Sequence, residues 1–188
     1  MASSSYGPVM ERMTTNGFLD GPETLQRREL VWGVLREPPA PFCSHQRLVT
    51  DIAFLLQRHT RDRSLGQVFV SPIDVVLDER EALILQPDII FISNDRLSIL
   101  RNQVWGAPDL VVEVLSPGTA AYDQRRKLGW FRKYGVRECW FVDSRRTRVI
   151  VHGLAQRPSR KSIYRKADMV RSGVLPDLAL RVADVFAE

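Results

Sequence analysis

Cysteine is scarce, with Cys43 and Cys139 the two in 188 residues. They form no metal-type or redox-type spacing, and Cys139 falls in an apolar run, where it reads as a buried thiol. Histidine is almost as rare. His45, His59 and His152 show no ligand spacing for zinc, which argues against a His-based metal centre; His59 reads as a helix-end residue and His152 as one on a strand surface. Long apolar runs are missing, so nothing reads as a membrane span. The opening MASSSYGPVMERM has no basic stretch followed by an apolar one, and the expectation is a cytoplasmic protein rather than a secreted one. Repeats and low-complexity tracts are absent too. Neither sign of charge dominates: 27 Lys and Arg against 22 Asp and Glu leave +5. That balance permits a nucleic-acid partner without demanding one.

What is present suffices for a packed core, since 44% of the residues are hydrophobic. The length predicts a single domain over 21–188, preceded by a polar, flexible segment at 1–20. Leu30, Val31 and Trp32, then Gly33 and the chain-breaking REPPAP, predict a strand pair turning at the glycine. Ser44 is the expected N-cap of a helix over HQRLVTDIAFLLQRH, where Leu48, Ile52, Leu55 and Leu56 share one face. Strands are expected at 67–70, 74–77, 82–85 and 89–92, with 93–107 as a loop or partial helix.

The stretch from Pro108 to Asp143 is the most informative. Leu110 to Leu115 reads as a strand, apolar except for Glu113. Alternation places Asp109, Val111, Glu113 and Leu115 on one face and Leu110, Val112 and Val114 on the other. A carboxylate covered by apolar neighbours needs a donor, a cation or a metal, because an unpaired buried charge is costly. A Ser-Pro-Gly break leads into a basic helix, with Ser116 or Thr119 as its cap. Leu128, Phe131 and Tyr134 supply packing contacts, Asp123 and Lys127 stand one turn apart and can pair, and Gly135 ends the helix with a left-handed cap. Strands at 136–142, 147–154 and 161–164 follow. The tail lays Leu178, Leu180, Val182 and Phe186 on the core.

Asp88 stands at the mouth of one strand and Glu113 in the middle of another. If those strands are neighbours, two carboxylates converge, and hard divalent cations want oxygen ligands of this kind. Lys127, reaching back from the helix, is placed to orient or deprotonate a water, or to neutralise charge on a phosphate. Glu29 is a candidate third carboxylate. The plainer alternative is a structural Glu113–Lys127 salt bridge with Glu29 on the surface, and the residues alone leave both open. Arg125, Arg126, Arg132 and Lys133 are either phosphate contacts or a solvated face. Trp105 and Trp130 either approach the site or pack in the core.

Taken together, these pieces resemble the Uma2 family, restriction-endonuclease-like proteins of the PD-(D/E)XK nuclease superfamily. The matching residues are REL and the glycine at Arg28 to Gly33, His45-Gln46 opening the first helix, and QPDIIFI at Gln86 to Ile92. PDLVVEVLSP at Pro108 to Pro117, the Asp123 and Lys127 pair, and YGVRECWFVD at Tyr134 to Asp143 complete the pattern. The resemblance implies an α/β fold with a restriction-endonuclease-like central mixed β-sheet flanked by helices. It implies a site built on Asp88 and Glu113, with Glu29 as an additional ligand of Mg2+ (or Mn2+) and Asp109 as a catalytic or supporting acid. The superfamily signature wants Glu-X-Lys. Leu115 stands where that lysine belongs, and the family's pattern moves it to Lys127.

The activity so implied is metal-assisted hydrolysis of a DNA phosphodiester; a homodimer is a separate expectation, because a two-fold arrangement suits cutting two strands. Two rivals remain: a non-catalytic nucleic-acid-binding or scaffold protein that keeps the acids, and a metal-dependent hydrolase of another phosphate-containing substrate. Asp88, Glu113 and Lys127 in one accessible cleft favour the enzyme. A closed Glu113–Lys127 pair with no room for a metal favours the first rival, and a cleft too narrow or too acidic for a duplex favours the second.

Overall fold

The computed structural model describes residues 12–116 and 120–187, with backbone alone for 120–123. It opens with a short helix, α1 (Thr15–Leu19), and the hairpin of β1 (Glu29–Val31) and β2 (Val34–Arg36). Trp32 and Gly33 form the turn at φ 55° and 77°, a left-handed pair that matches the twist of a tight hairpin. The strand pair expected around Gly33 is therefore present. Helix α2 (Cys43–Asp62) buries Leu48, Val49, Ile52, Ala53 and Leu56 along one stripe. Its N-cap is Phe42, with no side-chain capping bond. Ser44 is thus already inside the first turn and does not cap the helix.

Four strands come next: β3 (Gly66–Val70), β4 (Val75–Asp78), β5 (Leu83–Leu85) and β6 (Ile89–Ser93). The following stretch holds a 3-10 helix, Asn94–Ile99, and a two-residue strand, β7 (Val104–Trp105), too short to announce itself by periodicity. Then come β8 (Leu110–Val114), α3 (Ala120–Tyr134), β9 (Glu138–Asp143), β10 (Arg148–Gly153) and β11 (Arg160–Arg165). The chain closes with β12 (Met169–Val170), β13 (Leu180–Arg181) and α4 (Val182–Val185).

The main sheet has the order β11-β10-β9-β8-β6-β3. It is mixed: β8 and β9 run parallel, and the other neighbours run antiparallel. A parallel pair needs a crossover, and α3 supplies it. A second sheet, β2-β1-β5-β4-β7, stands beside the first, and β12-β13 form a third, small one. Every residue of β8 is buried, so its alternation divides two core layers. Val112, with Ile89, Phe91 and Trp140, packs with α2 and α4. Val111, with Ile90, Ile92 and Phe141, packs with the second sheet and Phe131 of α3. Each such side chain contributes about 1.5–3 kcal/mol when fully buried. Glu113 lies on the second of these faces.

The packed chain starts before residue 21. Phe18 of α1 is buried, and the Thr15 hydroxyl donates to the Glu79 carbonyl at 2.7 Å. Residues 1–11, the expected Thr119 cap and the Asp123 end of the expected Asp123–Lys127 pair lie outside the described residues. At the other end, Leu180 and Val182 are buried, and Leu178 and Phe186 pack against the same cluster. Among the described residues, no helix is long and apolar enough to cross a membrane.

Candidate functional site

The antiparallel ladder of β6 and β8 sets Ile89 opposite Val112, so Asp88 and Glu113 occupy its next position. The Asp88 carboxylate accepts from the Val114 N–H at 2.7 Å through Oδ2. Glu29 arrives from β1, which pairs with β5, and its Oε1 accepts from the Gln86 N–H at 3.2 Å. Lys127 comes down from α3. Its Nζ donates to Glu29 Oε1 and to Glu113 Oε1, each at 2.9 Å. Asp88, Glu113, Glu29 and Lys127, all singled out from sequence, are thereby brought together, and the three carboxylates are buried.

Leu115 does not leave the site without a cation. Its N–H is used by the Val142 carbonyl at 2.9 Å, and the ammonium reaches Glu113 from the helix instead.

Two further residues belong to the cluster and were not anticipated. Arg27 donates from Nη1 to Asp88 Oδ1 at 2.9 Å and from Nη2 to the Gln86 carbonyl at 2.6 Å. The same Nη2 lies 3.6 Å from Glu113 Oε2 and 4.0 Å from Glu29 Oε1. His45, in the first turn of α2, holds its Nε2 3.3 Å from Asp88 Oδ2. A signal for Arg27 existed: in an extended chain, residues two apart share a face, so Arg27 accompanies Glu29. His45 was part of the family pattern but carried no role.

The charges act on one another through a dry environment. Burial works against the charged form of Lys127, yet the Glu113 and Glu29 carboxylates outweigh it and raise its pKa. The charged form of Lys127 is thus favoured, and in this arrangement its Nζ serves as a hydrogen-bond donor to both acids. Burial also opposes ionisation of Glu29, but Lys127 and then Arg27 hold its pKa below the ordinary value. Asp88 is lowered against burial by His45, Arg27 and the Val114 N–H. Glu113 goes the other way: burial, with Asp88 and Glu29 adding repulsion, raises its pKa despite Lys127 and Arg27.

Asp109 is not part of this cluster. It lies just ahead of β8, beyond the opposite end from Glu113, fully buried, where it accepts from the Ser93 N–H at 2.8 Å, Arg96 at 3.2 Å and Arg137 at 3.0 Å. Four residues of strand carry it roughly 13 Å from Glu113. Sharing a face did not mean sharing a site. Trp105 is also remote, packed against the cluster around Phe18, whereas Trp130 lines the cleft with Arg126 over its ring, 5.2 Å from the centroid. Arg132 reaches Ser159, and Lys133 donates to the Tyr134 hydroxyl.

Glu29, Glu113, Lys127, Arg27 and His45 line a cleft of about 720 Å³, walled by Pro38 to Phe42 and by Trp130. Cavities of this size fit a small ligand or a nucleotide-sized portion of a larger one. The donor set suits a hard divalent cation: three carboxylates, two on strands β1 and β8 and one just ahead of β6, already gathered around a positive group, the Arg27 guanidinium. As folded, however, no three His, Cys, Asp or Glu side chains among the described residues form a ready shell for a metal ion.

A mixed sheet presenting an acid at the mouth of one strand, an acid within its neighbour and a lysine at the second acid defines a protein of the restriction-endonuclease-like fold class. A solved structure from Anabaena variabilis, described as "a putative nuclease belonging to DUF820", matches with a TM-score of 0.78 at 20% identity, over 93% of this chain and 97% of that one; the likeness concerns fold. The Uma2 family model, described as "Putative restriction endonuclease", matches residues 16–183. The chain belongs to the Uma2 family. It is also similar to the uncharacterized protein sll1609 of Synechocystis, 27% identical over 128 residues that span 64% of this chain and 71% of that one.

Proposed function

We propose that the chain is a divalent-metal-dependent DNA endonuclease, with Mg2+ as the cation and Mn2+ as a substitute. The observation that carries this reading is the convergence of Glu113, Glu29 and Lys127 in one cleft, with Asp88 directly behind them. Those three carboxylates are the residues that would hold the metal. A bound divalent cation supplies charge neutralisation at the phosphate and a more acidic water.

The chain's own groups do the rest. Lys127 fixes Glu29 and Glu113 and presents an ammonium to an entering phosphate oxygen. The Val114 N–H and His45 orient Asp88. Trp130 and the proline segment wall the cleft beside Glu29 and Glu113, and the low polarity of those walls strengthens the charge interactions there. Arg126, at the cleft wall, is the basic residue of α3 best placed for a backbone phosphate.

The test is cleavage of single-stranded, duplex and branched DNA with Mg2+, Mn2+ or chelator, comparing the native chain with Glu113→Ala. Cutting that needs metal and disappears in the variant is expected. Unchanged cutting by the variant removes the site assignment. The closed Glu113–Lys127 pair favours one alternative, a nucleic-acid-binding protein that keeps the acids as structural partners. That reading gains if DNA is bound without metal and no substrate is cut.

A further inference from the structure

The carboxylate cluster already contains a cation that is poorly suited to staying there. Arg27 touches Asp88 at 2.9 Å and stands 3.6 Å from Glu113 and 4.0 Å from Glu29, so its guanidinium lies where the three acids meet. Arg27, Glu29 and Glu113 line the cleft, whereas Asp88 sits behind the guanidinium that is bonded to it. While Arg27 is in place, one of the three acids is screened from anything entering.

Three features set Arg27 apart from a permanent structural bridge. Its Nε is buried without a hydrogen-bond partner among the described residues, an expense that a settled ion pair avoids. Its side chain is 22% exposed, against 3% for Asp88 and 9% for Glu113, so it has a way out. And it precedes β1, which begins at Glu29, in a stretch without helix or strand after Leu19 whose Leu25 is 90% exposed. Arg27 can swing outward without breaking a rung of the β1 ladder. Lys127 differs in the element that carries it and in the acids that it touches. It is carried on α3, and it contacts Glu29 and Glu113 but not Asp88, so its departure would not uncover the third acid.

We infer that Arg27 is an exchangeable resident cation, which holds the three carboxylates together in the metal-free protein and withdraws when a divalent cation enters. The inference rests on the metal-dependent reading above and adds to it a specific competitor. The carboxylates need some positive charge between them, since three buried like charges repel. A guanidinium satisfies that need until a more highly charged, more compact ion takes its place. Metal binding is then coupled to an outward movement of the 21–27 segment, and the affinity for metal is lower than the acids alone would give.

The experiment uses the full chain stripped with chelator and titrated calorimetrically with MnCl2, as native protein, Arg27→Gln and Arg27→Lys. Removing the competing charge in Arg27→Gln is expected to tighten Mn2+ binding by about tenfold or more, while Arg27→Lys, which keeps a cation, stays near the native affinity. In the native chain, Mn2+ is also expected to speed tryptic cleavage of the Arg27–Arg28 bond, a readout that needs no variant and survives if Arg27→Gln does not fold. Equal Mn2+ affinity for native and Arg27→Gln, with tryptic cleavage unmoved by metal, overturns the exchange while leaving the metal site intact. Absence of Mn2+ binding by every form overturns both the exchange and the metal-dependent reading.

Discussion

Lys127 Nζ lies 2.9 Å from Glu113 Oε1, and it gets there from a helix that follows the strand, not from the strand itself. A lysine two residues after Glu113 would share its face of β8. Leu115 occupies that position, and Lys127, two turns into α3, delivers the ammonium to Glu113 instead. Lys127 also bonds Glu29 at 2.9 Å, which ties the second sheet to the first.

Replacing Lys127 with Met tests both duties. Two buried carboxylates lose their closest cation, and stability falls by about 3 kcal/mol. DNA cleavage falls by about a hundredfold or more through the lost ammonium. Denaturant melts and single-turnover cleavage at saturating protein separate the two effects. A variant that is destabilised but still cuts at the native rate assigns Lys127 to structure alone.

Asp109→Asn separates the second Pro-Asp acid from the site. The change removes the charge that Arg96 and Arg137 share, at 3.2 and 3.0 Å, and costs about 3 kcal/mol of stability. Cleavage under conditions where the variant is folded remains at the native rate. A specific loss of turnover in folded Asp109→Asn would restore it to the chemistry.

The same residue sets part of the acid response. Burial opposes the Asp109 charge, but the Ser93 N–H, Arg137 and Arg96 overcome this and lower its pKa. For a carboxyl depressed in the fold, the stabilisation is fully present above the unfolded pKa of about 3.9. It is lost as pH falls through that value towards the folded one. Melts from about pH 5 down to pH 2 should show a shallower loss of stability in Asp109→Asn than in the native chain. Parallel slopes would mean that Asp109 titrates alike in both states.

Gly33→Ala probes the turn that aims Glu29. Gly33 sits at φ 77°, and an added Cβ would stand 2.7 Å from the Arg12 Cβ and 3.0 Å from the Met13 carbonyl oxygen. Left-handed backbone strain and that contact together cost about 1–3 kcal/mol. A melting temperature equal to the native one would show that the hairpin adjusts freely.

Cutting two strands with one site per chain is best served by two chains. A homodimer at working concentration is the expected result of light scattering, and a monomer removes the idea.

Much of the fold was legible in the residues. The α2 stripe, the apolar β8 and β9 runs and the Gly33 and Gly135 turns follow from local periodicity and backbone freedom, which act within a few residues. Ser44 misled because a good capping residue next to a helix does not say where the helix starts. β7 was missed because two residues carry no period, and α1 because its five residues offer only the adjacent Phe18 and Leu19, too short a run to show a helical repeat.

The sequence by itself determined that Glu113 is a carboxylate in a buried strand and that it must have partners, because an unpaired buried charge is too costly to keep. It also pointed to Asp88, Glu29 and Lys127 as those partners. Which acid stands apart was decided only by the tertiary structure: alternation put Asp109 on the face of Glu113, while distance along the strand put it in a separate arginine cluster. So was the arrival of Arg27 between the acids and of His45 behind Asp88. Those contacts join the irregular stretch before β1 and the first turn of α2 to β6 and β8, and pairings across such separations leave no local pattern to read.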